Sequence, residues 1–234
     1  MTSLVTIPRR FCGPPDSGNG GYVCGRLAQF VDGPAVVRLH VPPPLDVQMS
    51  VRRSEDAVEM MDGATVVATA RPAEVILDVP AAPGYAEAEA AAGSYRGFRI
   101  HPFPGCFVCG PWRKEGDGLR IFAGRLAGTN LVASPWNPDA TLGDDNGRVR
   151  REFIWAALDC PGAFTFGVPD GMAMMLGELA ASLSGNIRAG ERCVVTGWEL
   201  AREGRRHYTG TAVYSESGAC RAYARATWFE VAKS

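Results

Sequence analysis

Polar and apolar positions along this chain alternate with two different periods, and the change from one to the other happens twice. Tyr22, Val23, Leu27, Phe30 and Val31 recur at helical spacing behind Asn19, a good N-cap, which predicts an amphipathic helix over residues 20–31. From Ala35 the pattern shortens to β-type runs at 35–41, 46–54 and 57–63, the last turning at Asp62-Gly63 into 64–75. Residues 81–97 are rich in Ala, Gly and acid without a strong period and read as a connecting segment, so a boundary near residue 95 divides the chain into 1–95 and 96–234. Short strands follow at 118–124 and 129–136, then a polar loop at 137–148 and the apolar run 153–160. Four β-type segments close the chain at 173–183, 192–200, 206–214 and 219–231, with turns at Gly204 and Ser217-Gly218.

Each half therefore reads as one helix followed by antiparallel strands, the second being longer because it also has strands before its helix. This is an internal repeat at low sequence similarity. A helix as uniformly apolar as Phe153 to Leu158 must be covered on every side, and one curled antiparallel sheet can do that. The order of elements predicts an α+β fold, not strand-helix alternation.

Composition narrows the function classes. At 234 residues and 46% hydrophobic content the chain can bury one large core or two small ones. Twenty-four basic and 25 acidic side chains nearly cancel, with no block of one sign to track a nucleic-acid backbone. The opening residues lack the apolar core of a signal peptide and no run is long enough to span a bilayer, so a cytoplasmic protein without a membrane partner is expected. Seven scattered cysteines do not read as a disulfide framework. Cys106 and Cys109 form a CxxC pair, yet no second CxxC or His-x-His follows at zinc-finger spacing, and the pair follows the turn of residues 101–105. A packed entry into a strand is the simpler reading, with no metal and no cofactor expected.

The stretch CFVCG at 106–110, followed by GDGLRIF at 116–122, resembles the entry into the first strand of phenylacetate-pathway-type thioesterases of the hotdog superfamily. In those proteins a sheet wraps a long central helix, and Gly-x-Val-His-Gly-Gly is followed by a catalytic Asp nine positions after the His. Here Gly147-Arg148-Val149-Arg150-Arg151-Glu152 occupies that signature, and nine residues past Arg150 stands Asp159. In the first half Asn19-Gly20-Gly21 sits where His-Gly-Gly would, with Ala28 nine residues on. One half matches the acid and the other the glycines. Single-domain relatives dimerise and share the site between subunits, so the resemblance implies two tandem hotdog domains with one composite site between them.

On that resemblance Asp159 is the catalytic carboxylate, activating water or attacking an acyl thioester directly. The helix start at Asn19, Gly20 and Gly21 supplies the polarising amides, Gly21 being the expected oxyanion donor and Asn19 orienting the carbonyl or the water. Each has an ordinary alternative: Asn19 as a plain N-cap, Asp159 as a turn cap or an arginine partner. Glu178, Ser182 and Thr227, on strands beside the helix, are further substrate-binding candidates. Arg150 and Arg151 suit the phosphates of coenzyme A, or are simply exposed charges. Cys160 is not expected to be a nucleophile, since none of His40, His101 and His207 has a spacing that suggests a Cys-His pair. Phe153 and Trp155 are expected to pack in the core. The resemblance thus implies an acyl-CoA thioester hydrolase. The alternative is a hotdog protein that binds acyl-CoA or an acyl carrier without turnover. Homo-oligomers are common among such proteins, and nothing in the sequence selects an assembly.

Overall fold

The computed structural model describes residues 3–167 and 171–232. Among these residues no helix is long and apolar enough to cross a membrane. The strands are β1 (Ser3–Thr6), β2 (Ala35–Leu39), β3 (Gln48–Arg53), β4 (Val58–Asp62), β5 (Thr65–Pro72), β6 (Gly124–Arg125), β7 (Val132–Trp136), β8 (Met172–Leu183), β9 (Cys193–Glu203), β10 (Arg206–Tyr214) and β11 (Cys220–Ala232). They form one sheet in the order β1-β3-β4-β5-β2-β8-β11-β10-β9-β7-β6, with every neighbouring pair antiparallel. The helices are α1 (Gly20–Ala28), α2 (Tyr85–Ala92), α3 (Arg151–Ala157) and the short α4 (Cys160–Ala163).

The repeat is explicit in this order. Outward from the central β2–β8 pair, the first half runs β2, β5, β4, β3, β1 and the second β8, β11, β10, β9, β7, with β6 added at the edge. In each half the strand after the helix lies at the centre and the strand before it lies outermost. β1 is thus the counterpart of β7, and the first half does have a strand ahead of its helix. Four residues long, Ser-Leu-Val-Thr is too brief to show a period. The halves join where Ala35 faces Ala181 and Val37 faces Leu179, all buried, so a single hydrogen-bonded sheet passes between them.

Two further expectations are corrected. Residues 81–97 are not merely a connection, because they hold α2. Ala and Glu favour helix, the Glu87 carboxylate accepts the Gly84 N–H at 2.6 Å, and Ala88 and Ala91 pack with Ala133 and Val194. Residues 118–124 join the sheet only at Gly124. Before that, the chain is tied to the N-terminal loop: Phe107 N–H donates to Cys12 O, Leu119 N–H to Phe107 O, and Arg10 to Gly116 O. The apolar helix of the second half is shorter than its run of residues. Pro161 has no N–H to give and its ring opposes the carbonyl four residues back, so α3 ends at Ala157 and α4 restarts at Cys160.

α1 and α3 cross inside the sheet with their backbones in contact. A Cβ on Gly25 would lie 2.6 Å from the Glu152 Cα, and one on Gly21 2.5 Å from the Asp159 Cβ and 2.7 Å from the Trp155 carbonyl oxygen. The glycines at 21 and 25, one turn apart, therefore form the face on which the second helix rests. Phe11, Tyr22, Phe107 and Phe153 close one side, Phe11 stacking on Tyr22 at 4.2 Å and meeting Phe107 edge-on at 4.9 Å.

Gly25→Ala should lower the unfolding free energy by about 1–3 kcal/mol from overpacking, outweighing the helix-propensity gain of roughly 1 kcal/mol. Urea denaturation reads this directly. An unshifted midpoint would mean that the helices have room to spare.

Candidate active site

Asp159 sits in the break between α3 and α4, with φ −81° and ψ −84°. Its N–H donates to Ala156 O and its carbonyl accepts from Gly162, while Thr211 Oγ1 donates to Leu158 O at 2.7 Å and holds the preceding carbonyl. The broken helix thus turns the carboxyl group toward the start of α1. There Oδ2 accepts the Gly21 N–H at 2.9 Å and the Asn19 Nδ2 at 2.8 Å.

Asn19 has two tasks. Its Oδ1 caps α1 by accepting the Tyr22 N–H at 2.9 Å, which directs its amide nitrogen at Asp159. The positive end of the α1 dipole lies against the acid. Both side chains are buried, and the second carboxylate oxygen, Oδ1, has no partner among the described residues. Burial pushes the Asp159 pKa up to about 7, opposed by the Gly21 hydrogen bond; negative charge at Cys106 adds to the rise and the Asn19 bond opposes it.

A cavity of about 550 Å³ opens beside these groups. Asn19, Gly20 and Asp159 line its polar end, and Ile100, Phe103, Phe164, Met174 and Leu176 are among its apolar walls. That volume lies within the range of about 300–1,000 Å³ usual for ligand pockets. Arg96 brings a cation to the wall, held by donation to Phe166 O and by the Phe164 ring.

The structure therefore brings Asn19, Gly20, Gly21 and Asp159 together from opposite halves of the chain. The Gly21 amide, expected to face a substrate carbonyl, is instead bonded to Asp159. In the first turn of α1, Tyr22 and Val23 N–H groups bond to Asn19. Gly20 is left with the one first-turn amide that has no partner among the described residues, and Gly20 lines the cavity.

The other sequence candidates stand outside the cavity lining. Glu178 and Thr227 face one another across β8 and β11, half-buried, and Ser182 lies opposite Tyr223 further along the same pair. Arg150 caps α3, donates to Thr141 O at 2.9 Å and lies over the Phe153 ring; Arg151 is exposed. Phe153 and Trp155 are buried in the core. At the pseudo-equivalent crossing, Ala28 stands where an acid would be needed, and the adjacent Gln29 donates to Glu152 at 3.0 Å.

Sequence reasoning missed one group of residues. Cys106, Cys109 and Cys160 have their sulfur atoms within 4.8 Å of one another and line the same cavity, with His101 Nε2 3.4 Å from Cys109 Sγ. Hydrogen bonds from the Cys109 and Cys160 side chains hold the Cys106 thiol well below its usual range, helped by the Cys109 and Val108 backbone; burial pushes the Cys109 thiol up.

No protein-family model matches the chain, and no curated protein sequence matches it. Solved structures match it along nearly its whole length at low identity. A proposed thioesterase from Novosphingobium aromaticivorans is similar at TM-score 0.62 and 11% identity, covering 97% of this chain and 94% of its own. A conserved protein of unknown function with a hot dog fold, from Alicyclobacillus acidocaldarius, is similar at TM-score 0.56 and 11% identity, covering 99% and 96%. A tesB protein from Mycobacterium avium subsp. paratuberculosis is similar at TM-score 0.59 and 10% identity, covering 92% and 87%. The chain has the hotdog fold in its tandem form, two sheet-wrapped helices sharing one continuous sheet.

Substitution at Asn19 separates its two tasks. Asn19→Ala, losing both cap and carboxylate donor, should cost about 1–2 kcal/mol in urea denaturation. Asn19→Ser keeps an N-cap acceptor and should recover roughly 1 kcal/mol of that loss, while leaving Asp159 without its side-chain donor. Equal stability of the two variants would show that the cap contributes nothing.

Proposed function

We propose that the protein hydrolyses an acyl thioester, acyl-CoA being the substrate class, at a single composite site between its two halves. The observation that carries this reading is the carboxylate of Asp159: one oxygen is fixed by α1, the other is buried without a partner among the described residues, and the residue stands on the cavity that Gly20 also lines. An unpaired buried carboxylate oxygen costs stability and is kept where it has work to do.

In this reading Oδ1 accepts a proton from the water that attacks the thioester carbon and passes it to the thiolate that leaves as the C–S bond breaks. The Gly20 N–H, at the positive end of α1, receives the negative charge that develops on the carbonyl oxygen. Asn19 and the Gly21 N–H keep the carboxylate aimed, so both are positioning groups. The apolar wall around Phe103, Phe164 and Leu176 takes the acyl chain, and Arg96 supplies a cation for a polar portion of the substrate. Likeness to proteins described as thioesterases supports the fold on which this chemistry is arranged, and the site residues carry the rest.

The test is release of free thiol from a panel of short, long and aryl acyl-CoA esters. Turnover is expected on at least one, and Asp159→Asn should reduce it by about 10²- to 10⁴-fold with an unchanged circular dichroism spectrum. Wild-type protein that is stabilised by acyl-CoA but releases no thiol from any ester would replace hydrolysis with binding.

A further inference from the structure

The three cysteines in the cavity wall are arranged as metal ligands. Cys106 and Cys160 sulfur atoms stand 3.8 Å apart, although 54 residues separate them in sequence. Zinc–sulfur bonds of about 2.3 Å in a tetrahedron place sulfurs about 3.8 Å apart. All three sulfurs fall within 4.8 Å of one another, and none is bridged.

Groups around the cluster point donors at sulfur. Asn19 Nδ2 lies 3.8 Å from both Cys106 Sγ and Cys160 Sγ. Phe103 N–H donates to His101 Nδ1 at 2.9 Å, so the neutral ring carries its proton on Nε2, which faces Cys109 Sγ. Such donors stabilise thiolates, the form that binds metal.

The CxxC turn is also shaped for close approach. Gly110 N–H donates to Cys106 O at 2.9 Å, and a Cβ on Gly110 would lie 2.5 Å from the carbonyl oxygens of both Cys106 and Pro104. Only glycine closes this knuckle without displacing backbone. Cysteines that merely packed an apolar core would need neither the turn nor the ring of donors.

We infer that Cys106, Cys109 and Cys160 bind a single zinc ion as three thiolates. His101 and Asn19 hydrogen-bond the sulfurs, and the fourth ligand comes from the cavity that all three cysteines line. Soft thiolates in a compact set favour zinc over the hard cations that take oxygen ligands. The cluster shares a cavity and Asn19 with the proposed thioester site, but metal binding and thiol release are read by different measurements, so either assignment can fail while the other stands.

The experiment uses the full chain, reduced, stripped of metal and titrated anaerobically with cobalt(II). Expected are saturable thiolate-to-cobalt charge transfer and the visible bands of a tetrahedral ion, both erased by stoichiometric zinc. Cys109→Ser and Cys160→Ser should abolish the charge transfer, whereas Cys220→Ser, outside the cluster, should leave it intact. His101→Ala should weaken zinc binding by about 10- to 100-fold, as loss of a hydrogen-bond partner to a ligand does. Folded wild-type protein without cobalt–thiolate absorption overturns the site, and so does absorption that survives in both cluster variants. The wild-type titration decides the matter even if a cysteine variant fails to fold.

Discussion

The contact between α1 and α3 sets the spacing of everything inside the sheet. Two helices meeting through leucines stand about 8–10 Å apart; here Gly21 and Gly25 remove that layer of side chains and let backbone touch backbone. A hydrogen bond from the first turn of one helix to a carboxylate at the end of the other is possible only at this range. The sheet passes unbroken around both helices because the separation between them is small.

The same contact gives Asp159 its character. A carboxylate buried to this degree survives only with compensation, and it comes from backbone amide, side-chain amide and helix dipole together. All three act on one oxygen. The site is thus electrically lopsided, with a stabilised half that fixes the group and a second oxygen that has no partner among the described residues. Pro161 contributes at a distance: by ending α3 early, it turns the acid out of the helical register and into the crossing.

Much of this was readable from residue order and some was not. Long β-runs such as 206–214 and 219–231 declared themselves by period, and the Asn19-Gly20-Gly21 helix start showed in its cap and its glycines. β1 and β6 escaped because short strands have no period to read, and α2 because an Ala/Glu helix with two buried alanines has almost no apolar face. Gly21 was visible, yet its task was misjudged: a sequence cannot distinguish a glycine that admits a ligand from one that admits a neighbouring helix. CxxC looked incomplete because its third cysteine lies beyond a loop, two strands and a helix. Proximity of that kind is created by topology and leaves no mark on spacing.

The unequal crossing has a consequence for how such a chain can change. In a symmetric pair of identical subunits every mutation is made twice, so an interface can be altered only in both of its copies at once. Fusion lifts that restriction. Ala28 and the Gln29–Glu152 bond stand at one crossing while Gly21 and Asp159 stand at the other, so the two ends carry different contacts. Inheritance acts on the two ends as on separate loci, and a substitution at one leaves the contacts of the other as they are.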